Sequence, residues 1–214
     1  MNQPIERTMT GQIASRIREK ILSGAYAPGA SLLQDLLASE FGVSKIPVRE
    51  ALVQLRSEGL VDVFAHRGFQ VRPLSADEVR EVFNVRLAIE PAAVAAGVKL
   101  ATADDKAAAR AALTALNASL TGRDLKHSGD LNCAFHLALI VPARQPVTYE
   151  ILYRLHTMSQ RYVRLHLNPQ GRTQRAIEEH TAVLDAWAAG KAREARSAVQ
   201  LHIEETRDEL AAVL

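Results

Sequence analysis

Hydrophobic positions change their rhythm twice along the chain. Over residues 11–23, Ile13, Ile17 and Ile21 share one stripe while Arg16, Arg18 and Lys20 fall off it, which predicts a helix stopping at Gly24. Tyr26-Ala27-Pro28-Gly29 then turns the chain, and Leu36, Leu37 and Phe41 predict a short helix over about 33–41. A third helix over about 45–58 follows from Val48, Ala51, Leu52 and Leu55. Past Gly59 the period falls to two: Val61 and Val63 alternate with Asp62, and Phe69 and Val71 with Gln70, around Ala65-His66-Arg67-Gly68. That pattern predicts a β-hairpin with a cation at its tip.

From Leu74 onward the chain is alanine-rich and helix-periodic, with no strand-like alternation. The break falls at Val71-Arg72-Pro73-Leu74-Ser75, where Pro73 disfavours helix at Arg72. Ser75 followed by Glu78 is a capping-box pattern, opening a helix that runs to about Gly97. Further helices are expected at about 103–120, 130–141, 146–167, 172–189 and 191–213. Asp104 and Asp105 suit a first turn, and Gly190 separates the last two helices. In the final helix Ala195, Val199, His202, Ile203, Thr206 and Leu210 form one face. The fold class expected is mainly α, with an N-terminal winged helix-turn-helix (1–73) and a C-terminal all-α antiparallel helical bundle (77–214).

Composition narrows the classes without choosing among them. The 214 residues are 48% hydrophobic and 23% charged, enough apolar matter for a core and too ordered a balance for a disordered chain. A net charge of +2 means that any nucleic-acid surface must be local. A single cysteine, Cys133, excludes an internal disulfide framework and suits a reducing compartment. The opening MNQPIERTMT has no apolar core of a secretion signal, and no apolar run reaches the roughly 20 residues of a membrane span. A cytoplasmic location and no membrane partner are expected.

The first three helices and the hairpin have the layout of a DNA-binding head. Gly42-Val43-Ser44 makes the tight turn, with Gly42 at a position that favours positive φ. Ser44 is placed to cap the next helix, and Pro47 is tolerated in its first turn. Lys45, Ile46 and Arg49 then stand on the face away from the buried stripe, where a recognition helix meets base edges. His66, Arg67 and Gly68 at the hairpin tip are placed to touch the backbone or the minor groove. The plainer alternative is three packed helices with no partner.

These residues resemble the GntR type of bacterial regulator across nearly all of 9–73. The matching pieces are Leu37-Ala38, Gly42-Val43-Ser44, Pro47-Val48-Arg49-Glu50-Ala51-Leu52 and Glu58-Gly59-Leu60. The resemblance implies double-stranded operator DNA as partner and adds Gln34 and Asp35 to the DNA-facing set. This chain departs from the family there: Gln34 replaces a usual Glu, Lys45 a frequent Arg, and Asp35 a position where some members carry a DNA-contacting Arg. Lysine keeps the charge of arginine but not its bidentate fork. Asp35 has two open readings, accepting from a cytosine amino group or repelling phosphate.

The helical half lacks G-x-G-x-x-G, a Walker lysine loop, G-x-S-x-G and H-E-x-x-H. Cys133 lies three residues before His136, but a lone cysteine is more often a small buried hydrophobe than a nucleophile. His136, His180 and His202 each lie on an inward stripe of a different helix. Three imidazoles from three helices can converge and leave coordination positions open, although any one alone suits a core role. Region 77–214 resembles the FCD ligand-binding domain of the FadR branch, through Arg86-Leu87-Ala88-Ile89-Glu90, Asn132-Cys133-Ala134-Phe135-His136, Glu179-His180-Thr181-Ala182-Val183-Leu184 and Leu201-His202-Ile203.

The resemblance implies a divalent metal, zinc or nickel, on Asn132, His136, His180 and His202, with Arg86 at the position expected to clamp an anionic effector. Asp130 is two residues from Asn132, about 200° around the helix. Neutral imidazoles leave the metal's charge uncompensated, which favours a small carboxylate effector. For Arg86 an ion pair with Glu90 four residues on is the competing reading, and a solvated helix face is expected for Arg161 and Arg164. The expected protein is a homodimeric, ligand-responsive transcription regulator, a repressor, and not an enzyme. The alternatives are a metal-dependent enzyme on a helical bundle and a DNA-binding dimer whose second half is purely structural.

Overall fold

A computed structural model describes residues 8–64, 68–122, 127–167 and 172–214, with the backbone alone for 163–167. It divides into two units, Met1–Leu74 and Ser75–Leu214. The fold is mainly α, a small winged helix-turn-helix sheet followed by an all-helical domain, as the hydrophobic pattern implied.

In the first unit α1 (Met9–Leu22) starts where the Thr8 hydroxyl accepts from the Gly11 N–H at 3.0 Å. Its stripe of Ile13, Ala14, Ile17 and Ile21 is buried against Val48, Ala51, Leu52 and Leu55 of α3 (Lys45–Ser57). Between them α2 (Gln34–Phe41) ends at Gly42, in the left-handed region at φ 66 and ψ 36. The Val43 N–H reaches back to the Ala38 carbonyl at 3.0 Å and closes the turn. Ser44 stands at the start of α3 in extended backbone, but its hydroxyl makes no cap hydrogen bond, contrary to the expectation. Arg18 makes a two-pronged contact with Glu58, at 2.8 and 2.6 Å, fastening α1 to the end of α3.

The wing is β2 (Val61–Phe64) paired antiparallel with β3 (Gly68–Val71), Val61 opposite Val71 and Phe64 opposite Gly68. A third strand not foreseen in the sequence, β1 (Ser31–Leu32), pairs with Gln70 and Phe69, giving the order β1-β3-β2. Two residues are too short to show a period. Val61, Phe69 and Val71 join the core, whereas Val63 and Phe64 are exposed. His66 and Arg67 lie outside the described residues.

The second unit is built from α4 (Ala76–Leu100), α5 (Ala103–Thr121), α6 (Ser128–Ile140), α7 (Pro146–Leu167), α8 (Arg172–Ala188) and α9 (Ala192–Val213), with a short 3-10 turn at Val141–Ala143. The Ser75 hydroxyl accepts from the Glu78 N–H at 3.4 Å, so half of the expected capping box is present. The Glu78 carboxylate goes elsewhere, to Arg161 and the Tyr162 hydroxyl on α7. A complete capping box opens α5, between Thr102 and Asp105.

α4 does not stop near Gly97 but continues to Leu100. Gly97 marks a close approach instead: a β-carbon there would lie 2.1 Å from the Leu139 carbonyl oxygen, which accepts from Trp187 Nε1 at 3.1 Å. Among the described residues no helix is long and apolar enough to cross a membrane.

Candidate functional site

At the start of α2 and α3 the sequence places Gln34, Asp35, Ser44, Lys45, Ile46 and Arg49, all outside the core of the head. Ile46, 70% exposed, is a large apolar side chain presented to solvent. Lys45 and Asp35 form an ion pair across the turn. Gly68, at φ 71, closes the described end of the wing.

The second unit gathers its polar side chains in the interior. His136 of α6, His180 of α8 and His202 of α9 are all buried, and each has a ring nitrogen within 4.8 Å of the others. Ring centroids lie 5.4 Å apart for His136 and His180, 5.3 Å for His136 and His202, and 4.5 Å for His180 and His202. Two carboxylates aim these rings. Glu90 Oε1 lies 2.8 Å from His136 Nδ1, and Glu179 Oε2 lies 2.7 Å from His202 Nδ1. A carboxylate accepts only, so each Nδ1 carries a proton, and a ring that is neutral then keeps its lone pair on Nε2. His136 Nε2 is buried with no hydrogen-bond partner, which leaves that lone pair available for a cation. The donor set therefore fits a divalent metal with open positions, held in the carboxylate–histidine–metal manner.

Both carboxylates are themselves anchored. Arg86 donates to Glu90 through Nε at 2.8 Å and Nη2 at 3.4 Å, and Arg172 Nη1 donates to Glu179 at 2.7 Å. Burial opposes the charge on Glu90, yet the Arg86 guanidinium and the two facing imidazoles hold its carboxyl well below the usual range. Burial likewise opposes the charge on Glu179, but hydrogen bonds from His202 and Arg172 bring it down to about 2. Burial pushes His136 down to about 3, so this imidazole is neutral at physiological pH, the form that binds metal.

Several residues stand differently from their sequence reading. Arg86 makes the ion pair with Glu90, the competing reading offered for it, and also lines a small cavity with Phe83, Asn132, His180 and His202. Asn132, one turn before His136, is half-buried at that cavity, whereas Asp130 is exposed. Arg161 is buried against Glu78 and Tyr162 rather than on a solvated face, because α7 packs that side inward. The side chain of Arg164 lies outside the description. Burial pushes the Cys133 thiol up to about 12, which leaves a small buried hydrophobe and no nucleophile.

Sequence reasoning missed a fourth imidazole. His156 of α7 is buried, its ring centroid is 4.9 Å from that of His136, and its Nε2 lies 3.2 Å from Glu90 Oε2 without hydrogen-bond alignment. Its position four residues after the buried Leu152 was the available signal. Glu90, His136 and His156 make a second cluster of ligand-type atoms, but the Arg86 guanidinium already occupies the same carboxylate and repels a further cation.

A family model described as bacterial regulatory proteins, gntR family, matches residues 9–71, and one described as the FCD domain matches residues 81–205. This chain belongs to the GntR family of transcription regulators, in the branch that carries an FCD domain. An HTH-type regulator of Paraburkholderia xenovorans, BphR, is 31% identical over 204 residues, covering 92% of this chain and 83% of its own. The HTH-type transcriptional repressor GlaR of Escherichia coli is 31% identical over 155 residues, 68% of each chain.

The solved structure of E. coli McbR/YncC superposes with a TM-score of 0.81 at 24% identity, over 95% of this chain and 97% of that one. That last likeness speaks for the fold alone. A GntR-family chain with an FCD domain is a DNA-binding regulator and not an enzyme, which sets aside the metal-dependent enzyme on a helical bundle.

Proposed function

We propose that this GntR-family chain is a homodimeric repressor whose helical unit senses a small carboxylate through a bound divalent metal. The head, residues 1–73, would bind operator DNA through Gln34, Asp35, Ser44, Lys45, Ile46 and Arg49, with the wing tip at His66, Arg67 and Gly68. The sensor, residues 77–214, would hold the metal on His136, His180 and His202, with Asn132 next to them at the cavity.

The observation that carries the sensor reading is His136 Nε2, buried, unpartnered and held in register by Glu90. An all-imidazole set suits zinc or nickel. When bound, the metal supplies a localised positive charge for an anion. Arg86, already compensated by Glu90, shapes the wall beside that anion. The repressor assignment is supported by the name of GlaR, and a cytoplasmic location by membership of a family of DNA-binding regulators. Coupling of about 1–3 kcal/mol between acid and DNA is enough to change operator occupancy severalfold.

The test is a thermal melt of the protein stripped with a chelator, then reloaded with zinc or nickel, and screened against organic and sugar acids. Metal restoring the melting temperature, and one acid adding to it only when metal is present, is the expected result. Unchanged melting on stripping and reloading, in wild type and His136→Ala alike, refutes the metal reading.

A further inference from the structure

Asp35 and Lys45 form an ion pair although both side chains are largely in solvent, 71% and 64% exposed. An ion pair so exposed adds little to the stability of the fold. Its place is more telling. Asp35 is the second residue of α2 and Lys45 the first of α3, the two ends that the tight turn at Gly42 brings side by side. Ile46 and Arg49 follow on the same outer side of α3.

A lone lysine here would neutralise phosphate and add sequence-independent affinity through counterion release. A carboxylate beside it cancels that contribution and is repelled by the backbone. What the pair retains is hydrogen bonding: an ammonium that donates and, within reach of it, a carboxylate that accepts. In the major groove a G·C pair presents the matching edge, with guanine O6 and N7 as acceptors and the cytosine amino group as donor. We infer that Asp35 and Lys45 act as one specificity-determining unit that reads a single G·C pair in each half-site, with little phosphate affinity of its own. The inference rests on α3 being the recognition helix.

The test compares wild type, Asp35→Asn, Lys45→Gln and Arg49→Gln in full-length protein, each checked for an unchanged melting temperature. Binding to random duplex DNA is measured as a function of salt, and preferred sites are selected from a random duplex pool. Freeing Lys45 in Asp35→Asn should steepen the salt dependence by about one charge and tighten random-duplex binding about eightfold at 0.1 M salt. The same variant should lose preference at one G·C position per half-site by about fivefold or more, and Lys45→Gln should lose it too. An Asp35→Asn protein with the wild-type salt slope, or with undiminished preference at every position, overturns the inference. Should Arg49→Gln and Lys45→Gln both bind and select as wild type does, the recognition-helix reading fails and takes the inference with it.

Discussion

Replacing Glu90 by Gln separates two tasks that one buried carboxylate performs. Glu90 is fully buried, receives two hydrogen bonds from Arg86 and holds His136 Nδ1 at 2.8 Å. Gln keeps the shape but removes the charge, leaving the Arg86 guanidinium, 3% exposed, without a counter-ion. An uncompensated buried charge costs about 3–5 kcal/mol. At roughly 3–4 °C per kcal/mol for a unit of this size, the metal-free protein should melt about 10–20 °C lower. Loss of the orienting carboxylate should also weaken metal binding by about 10–100-fold.

Replacing both Arg86 and Glu90 by Met removes the stranded charge, so most of the melting temperature should return while metal affinity stays low. Calorimetry of the stripped variants, with a chelator competition for zinc, reads both quantities. An E90Q protein as stable as wild type, or a double-Met variant with full metal affinity, refutes the two roles given to Glu90, counter-ion to Arg86 and holder of His136.

Gly97→Ala would place a β-carbon 2.1 Å from the Leu139 oxygen, so a loss of about 2 kcal/mol or more is expected in urea unfolding. Cys133, with its thiol at about 12, is protonated in the folded protein at pH 8. Thiol labelling there should run on the order of a thousandfold slower than for an exposed cysteine and accelerate only with unfolding. Tyr162→Phe deletes a hydroxyl that donates to Glu78 and accepts from the Ser75 N–H at 3.3 Å, a loss of about 1–2 kcal/mol measurable by thermal melting.

The elements of this fold were written locally. Helical periods, the Gly42 turn and the two-residue alternation of the wing arise from neighbours in sequence, and the structure has them within a few residues of where the pattern put them. What could not be read depends on partners far along the chain. β1 is two residues that become a strand only because Gln70 and Phe69 lie beside them. Gly97 looks like a helix stop until the Leu139 carbonyl, from a helix forty residues on, passes over it.

In the candidate site the three histidines were visible as inward positions, and the structure brings them together. Glu90 was visible only as a partner for Arg86, because nothing in the local pattern ties it to His136, 46 residues away, or to His156. Glu179 precedes His180 in the sequence, yet its ring partner is His202 on the next helix.

The buried side of α7 carries two attachments about 9 Å apart along its axis. At one, the His156 ring rests against the carboxylate that steers His136. At the other, Arg161 and Tyr162 grip Glu78 and the amide of Ser75, the first residue of the helical unit after the chain leaves the head. α7 is thus a strut inside the helical unit: one unbroken helix braces both the carboxylate beneath His136 and the unit's first residue, with no loop between the two points.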